Sequence, residues 1–183
     1  MKHLQNPKRI NIQLIAMLTC LMILSISVNA QDTPKLNDAE IAHIAVVANT
    51  IDIGYAEIAQ KKTKNKDVIN FAETMARDHQ GVLDQATALV TKLGVTPMDN
   101  AVSQSLLKGA EETKKMLNST KSKGFNKAYI DNEVGYHKAV IAAVRDLLIP
   151  QTTNAELKAL LQGVLTALEA HLKHAEMVQM KFM

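Results

Sequence analysis

The chain has 183 residues, 47% hydrophobic but only 3% aromatic, with no Trp, a single Cys and a formal net charge of +3. Lys2, Lys8 and Arg9 are its first basic residues, and without residues 1–30 the remainder carries 18 basic against 18 acidic side chains. A neutral domain with no basic stripe and no interleaved aromatics excludes an electrostatic nucleic-acid binder.

Residues 1–30 are expected to form a secretory signal peptide. The three basic residues precede an apolar run from Leu14 to Val28, and the small Ala30 stands before Gln31. The run is short for a membrane span, so no span is expected after cleavage. Met17-Leu18-Thr19 before Cys20 does not suit lipidation, and Cys20 leaves with the signal. The expected product is a periplasmic domain over residues 31–183 without disulfide or thiolate, held together by packing alone.

Apolar residues recur with the helical period along the rest of the chain. The first helix is expected to begin after Asn37 as N-cap, with Ile41, Ile44, Ala48, Ile51, Tyr55 and Ile58 on one face, and to end in the polar run Lys61 to Lys66. The second runs from about Asp67 to Leu93 on Val68, Phe71, Ala72, Met75, Val82, Ala86, Leu89, Val90 and Leu93, and Gly94 and Pro97 stop it. A shorter helix from about Asn100 to Leu117 is expected to cross the bundle end. Another extends from about Lys123 to Leu148, closed by Pro150. The last begins after Thr153 or Asn154 and carries Leu157, Leu160, Val164, Ala175 and Val178 inward. Four long helices and one additional short one predict an all-α fold, an antiparallel four-helix bundle.

Three histidines interrupt the apolar stripes near their middles: His79 between Met75 and Val82, His137 between Val134 and Ile141, His171 between Val164 and Ala175. All three are expected to point inward, and a buried imidazole with unsatisfied nitrogens costs about 1 to 3 kcal/mol. His171 is expected to miss the height of His137 by a few ångströms, counted from the loop between their helices at about 1.5 Å per residue. Glu133 lies one turn before His137 on the same face, and Asp52 flanks the stripe of the first helix. Asp78 and His174 sit at stripe margins, as supporting groups. Imidazole and carboxylate ligands suit iron, zinc, copper or manganese. The competing expectation is a buried hydrogen-bonded network that fixes bundle register in a non-catalytic envelope protein, with a second copy or another envelope protein as partner.

A di-iron carboxylate bundle needs Glu-x-x-His on two helices, and only Glu40 to His43 has that spacing, with His43 facing away from the core. The series His171, His174, Met177, Met180 and Met183 offers a soft ligand every three residues, as copper would use. Each such step drifts about 60° around a helix, so the five share no face. His43 and Glu57 are expected on the surface. Neither a nucleophile elbow nor a phosphate-cradling glycine loop is present.

The segments Phe71-Ala72-Glu73-Thr74-Met75-Ala76-Arg77-Asp78-His79, Phe125 to Tyr129 leading to His137, and His171-Leu172 followed by Ala175 resemble an exported bacterial family called domain of unknown function 4142, a ferritin-like helical bundle. The resemblance covers about Leu36 to Val178. It implies that His79, His137 and His171 form one inward set. Where members of that family usually carry Glu on the first helix, this chain has Asp52, a shorter side chain. The resemblance implies a fold and an export route but no reaction. The functions expected are metal storage, sensing or stress protection.

Overall fold

The computed structural model describes residues 33–183; the signal peptide expected over residues 1–30 lies outside the described residues. Of the described residues 86% are helical and none is in a strand, which makes the fold all-α. The elements in chain order are α1 (Asp38–Lys62), α2 (Lys66–Leu93), α3 (Ala101–Ser119), α4 (Ser122–Ala143), a π-helical turn (Val144–Leu148), α5 (Ile149–Gln151), α6 (Ala155–Gln179) and a final 3₁₀ turn (Met180–Phe182).

Asparagines open four of these helices. Asn37, Asn65, Asn100 and Asn154 each accept first-turn backbone N–H groups that have no partner inside the helix. At α1 the cap is reciprocal, since Glu40 Oε2 accepts the Asn37 N–H at 2.9 Å while Asn37 Oδ1 accepts the Glu40 N–H at 3.0 Å. Gly94 ends α2 at φ 63°, a left-handed conformation that glycine adopts without Cβ strain.

Hydrogen bonds gather the helix ends. Asp38 at the start of α1 accepts from the Thr153 and Asn154 N–H groups at 2.9 Å each, and Asn100 Nδ2 donates to Glu40 O at 3.2 Å. At the far end Lys62 Nζ donates to the Leu117, Asn118 and Thr120 carbonyls, closing the C-terminus of α3 with a cation. These contacts lay α3 along the whole of α1, so the expectation of a short helix crossing the bundle end is corrected. Ala110 and Leu117 are buried there because α3 covers the side of α1. With α2, α3 and α4 against it, α1 is the most apolar helix, with mean hydropathy 1.2 in its most apolar stretch, long and apolar enough to cross a membrane by composition alone.

Two further expectations are revised. The helix after Lys121 does not close at Pro150: it widens into the π turn, where Ile149 N–H bonds Val144 O, and continues to Gln151. A π turn relieves the clash and the missing donor that proline brings to a regular helix. On α6 the fully buried positions are Leu157, Leu161, Leu168, His171, Ala175 and Val178, while Leu160 and Val164 are half-buried. From Leu168 on the inward seam of α6 steps by three and four residues, and His171 is one of its knobs.

The core has two apolar clusters. One holds Tyr55, Phe71, Met75, Phe125, Tyr129 and Ala175, and the other is aliphatic, with Ile41, Ile44, Ile141, Leu148, Leu161 and Leu168. The buried polar residues of α1, α2, α4 and α6 lie in sequence between these groups.

Candidate metal centre

Four helices bring polar side chains to one level of the core. Asn49 and Asp52 come from α1, His79 from α2, Glu133 and His137 from α4, and His171 from α6, and all six are buried. Asp52, Glu133 and His137 are wholly excluded from solvent at 0% exposure, a state carboxylates reach only with specific partners.

The three imidazoles converge. Ring centroids are 5.7 Å apart for His79 and His137, 5.3 Å for His79 and His171, and 5.6 Å for His137 and His171. The expected height mismatch of His171 is absent. Side chains lean toward the N-terminus of their own helix, so His137 leans away from the α4 to α6 connection and His171 toward it. Asp52 Oδ2 lies 3.3 Å from His79 Nε2 and 3.6 Å from His137 Nε2, so the short carboxylate does reach both rings. Glu133 Oε2 is 3.7 Å from His137 Nδ1. His79, His137 and His171 offer ligand atoms within 4.8 Å of one another, and so do Asp52, Glu133 and His137.

Each ring has one nitrogen tied to an acceptor. His79 Nδ1 meets Asn49 Oδ1 at 2.7 Å, and the Asn49 amide is oriented by its Nδ2 donating to Ala45 O at 2.7 Å. His137 Nδ1 donates to the Glu133 carbonyl at 2.9 Å, and His171 Nε2 meets Asp78 Oδ2 at 3.1 Å. These acceptors place the proton on the tied nitrogen and leave a lone pair on the other. The others are His79 Nε2, His137 Nε2 and His171 Nδ1, which are buried and have no hydrogen-bonding partner among the described residues, as are all four carboxylate oxygens of Asp52 and Glu133. Histidines oriented by an acceptor on the far nitrogen are the usual supports of a metal site.

Burial governs the protonation states. It depresses His79 to about 3, with the neighbouring His137 and His171 adding to the shift, and His137 to about 4. Burial also lowers His171, against the opposing pull of Asp78. It raises Asp52 to about 7 and pushes Glu133 well above the carboxylate range, with the Asp52 charge adding to the rise. Near neutrality the imidazoles are neutral bases, and burial together with the nearby Asp52 charge favours the protonated form of Glu133.

His174, expected at the margin of the site, does not join it. The three-residue step from His171 turns it by about 60°, and its ring packs edge-on against Phe71 at 5.1 Å. Met177, Met180 and Met183 are 47%, 65% and 92% exposed, so the C-terminal series does not gather. His43 is half-buried and faces Asp99 at 3.8 Å, while Glu57 is exposed beside Lys61. Asp78 does support His171 as its position on the stripe margin suggested. Sequence reasoning missed Asn49, whose signal is a lone amide three residues before Asp52 inside an apolar stretch. It also missed Tyr136, which bonds Ala48 O at 2.7 Å and sets its ring edge-on to His137.

No curated protein and no solved structure matches the chain. The family model described as Domain of unknown function (DUF4142) matches residues 25–178, and the chain belongs to that family.

Proposed function

We propose that the protein binds a transition metal ion through His79, His137 and His171, with Asp52 and Glu133 completing the ligand set. The observation that carries this is the pairing on every ring of one nitrogen held by an acceptor with one buried nitrogen left without a partner, in three rings whose ligand atoms lie within 4.8 Å of one another. A network kept only for bundle register would be expected to satisfy its members internally; here three imidazoles and two carboxyls leave seven atoms without partners. A donor set of nitrogen and oxygen without sulfur suits zinc, iron, manganese or copper(II).

The residues divide the work. Asn49, the Glu133 carbonyl and Asp78 orient the rings, and Asp52 reaches two of them at once. The Asp52 and Glu133 pair is the group that gives up a proton when a cation arrives. A bound ion would supply Lewis acidity or redox capacity at this level of the core. Ligands contributed by four helices to the interior support a ferritin-like, antiparallel four-helix unit of α1, α2, α4 and α6, with α3 laid outside it. The basic and apolar pattern of residues 1–30 supports export, and with it a periplasmic role in metal storage, sensing or stress protection.

Thermal denaturation after chelation, with single metals added back, tests the binding. A ligand that binds only the folded state stabilises it by about 4 kcal/mol at a free concentration about 1,000 times Kd, roughly 10 °C in a domain of this size. Chelation is expected to lower Tm and one of the four metals to restore it. A Tm indifferent to both would leave a structural polar network as the function of these residues.

A further inference from the structure

On the aliphatic side of the polar residues the helices line a partly open pocket of about 150 Å³. Its wall is built from Ala86 and Leu89 of α2, Val140 of α4, and Leu161, Val164 and Leu168 of α6, and it reaches Asn49, His79 and Tyr136. These three are its polar lining, and each already makes a hydrogen bond within the protein. His79 Nδ1 is held by Asn49, Asn49 Nδ2 donates to Ala45 O, and the Tyr136 hydroxyl donates to Ala48 O.

A pocket of this size with aliphatic walls has room for apolar guests of about the size of benzene or a xenon atom and few groups to hold water in place. A charged or strongly hydrogen-bonding guest would lose its hydration and find almost nothing to replace it. We propose that this pocket is a binding site for a small, uncharged, apolar molecule, a compact hydrocarbon or hydrocarbon-like group, seated with one end against the His79 and Asn49 pair. The small side chains of Ala42, Ala45, Ala48, Ala86 and Ala143 keep the space open, since they line the same wall where larger residues would fill it. The pocket borders the histidine cluster at His79, but its walls are almost wholly aliphatic.

Methyl-resolved NMR of the purified protein under xenon pressure, followed by titration with benzene and with benzoate, tests this. Saturable shifts with one shared midpoint are expected on the methyls of Leu89, Val140, Leu161 and Val164, and benzene is expected to reproduce them at least tenfold more tightly than benzoate. Two filled variants, Ala86→Phe and the milder Ala143→Leu, are checked for helix content by circular dichroism. Whichever of them folds is expected to lose the saturable shifts and keep the metal content of the unaltered protein. Shifts in the unaltered protein that stay linear and spread over all methyls would overturn the proposal. So would benzoate binding as tightly as benzene, or saturable shifts that persist in a folded filled variant. Metal content reports separately on the histidine cluster, so either idea can fail alone.

Discussion

Asn49 carries no charge, yet it decides which nitrogen of His79 bears the proton, because its own amide is locked by Ala45 O. Asn49→Leu removes that acceptor and leaves a buried N–H unpaired. Metal affinity measured by competition with a chromophoric chelator is expected to fall about 10- to 100-fold; an unchanged affinity would mean the amide does not orient the ring. The buried titrating groups make a second prediction, with opposed signs. His79 and His137, depressed from 6.5 to about 3 and 4, contribute stability that is present above about pH 6.5 and lost as pH falls toward those values. Asp52, raised from 3.8 to about 7, contributes stability present below about pH 4 and lost as pH rises through 7. In metal-free protein the two trends oppose each other between about pH 4 and 6.5. Asp52→Asn removes one of them, so urea denaturation of that variant is expected to show stability rising more steeply with pH than in the unaltered protein. Metal binding near pH 6 is expected to release protons from the carboxyl pair, since the imidazoles are already neutral there. The histidines were legible in the sequence because each replaces an apolar residue on a regular stripe, and Glu133 because it stands one turn from His137. Asp52 was legible only as a flanking residue: α1 is covered by three helices, so the margin of its stripe is as buried as its centre. Asn49 left only a faint signal, because a lone amide on a stripe margin reads as ordinary until its neighbour is known to be an imidazole.

The helices owe their limits to local chemistry that the sequence states openly. Asn154 caps α6 by accepting from Glu156 N at 2.9 Å and Leu157 N at 3.0 Å. Asn154→Ala is expected to cost about 1 kcal/mol of stability in chemical denaturation, with metal content unchanged because His171 lies far along the helix. Where the sequence misled, a tertiary or geometric effect outweighed a local signal. Pro150 reads as a stop, but the π turn before it absorbs the missing N–H and carries the helix on to Gln151. The weak apolar pattern of α3 suggested a crossing at the bundle end, whereas Lys62 and Asn100 tie its two ends to the two ends of α1. Counting residues from the α4 to α6 connection placed His171 too far away. That count ignores the direction in which side chains lean along a helix, and the lean closes the gap.

Across the molecule, buried polar residues lie beside an aromatic-rich cluster and an aliphatic one. Buried groups left unsatisfied cost about 1 to 3 kcal/mol each, a heavy charge on a fold whose whole stability is about 5 to 15 kcal/mol. A bound cation would turn that liability into a source of stability, because its binding energy is then part of the folding energy. The all-α class was plain from periodicity and from the absence of alternating strand patterns. The closeness of the three rings was not, since it depends on how four helices pack. Elemental analysis of the untagged protein purified under native conditions, beside the double variant His79→Ala and His137→Ala, bears most directly on the account. It predicts one transition metal near one equivalent in the unaltered protein and its loss from the double variant; equal and negligible metal in both would contradict it.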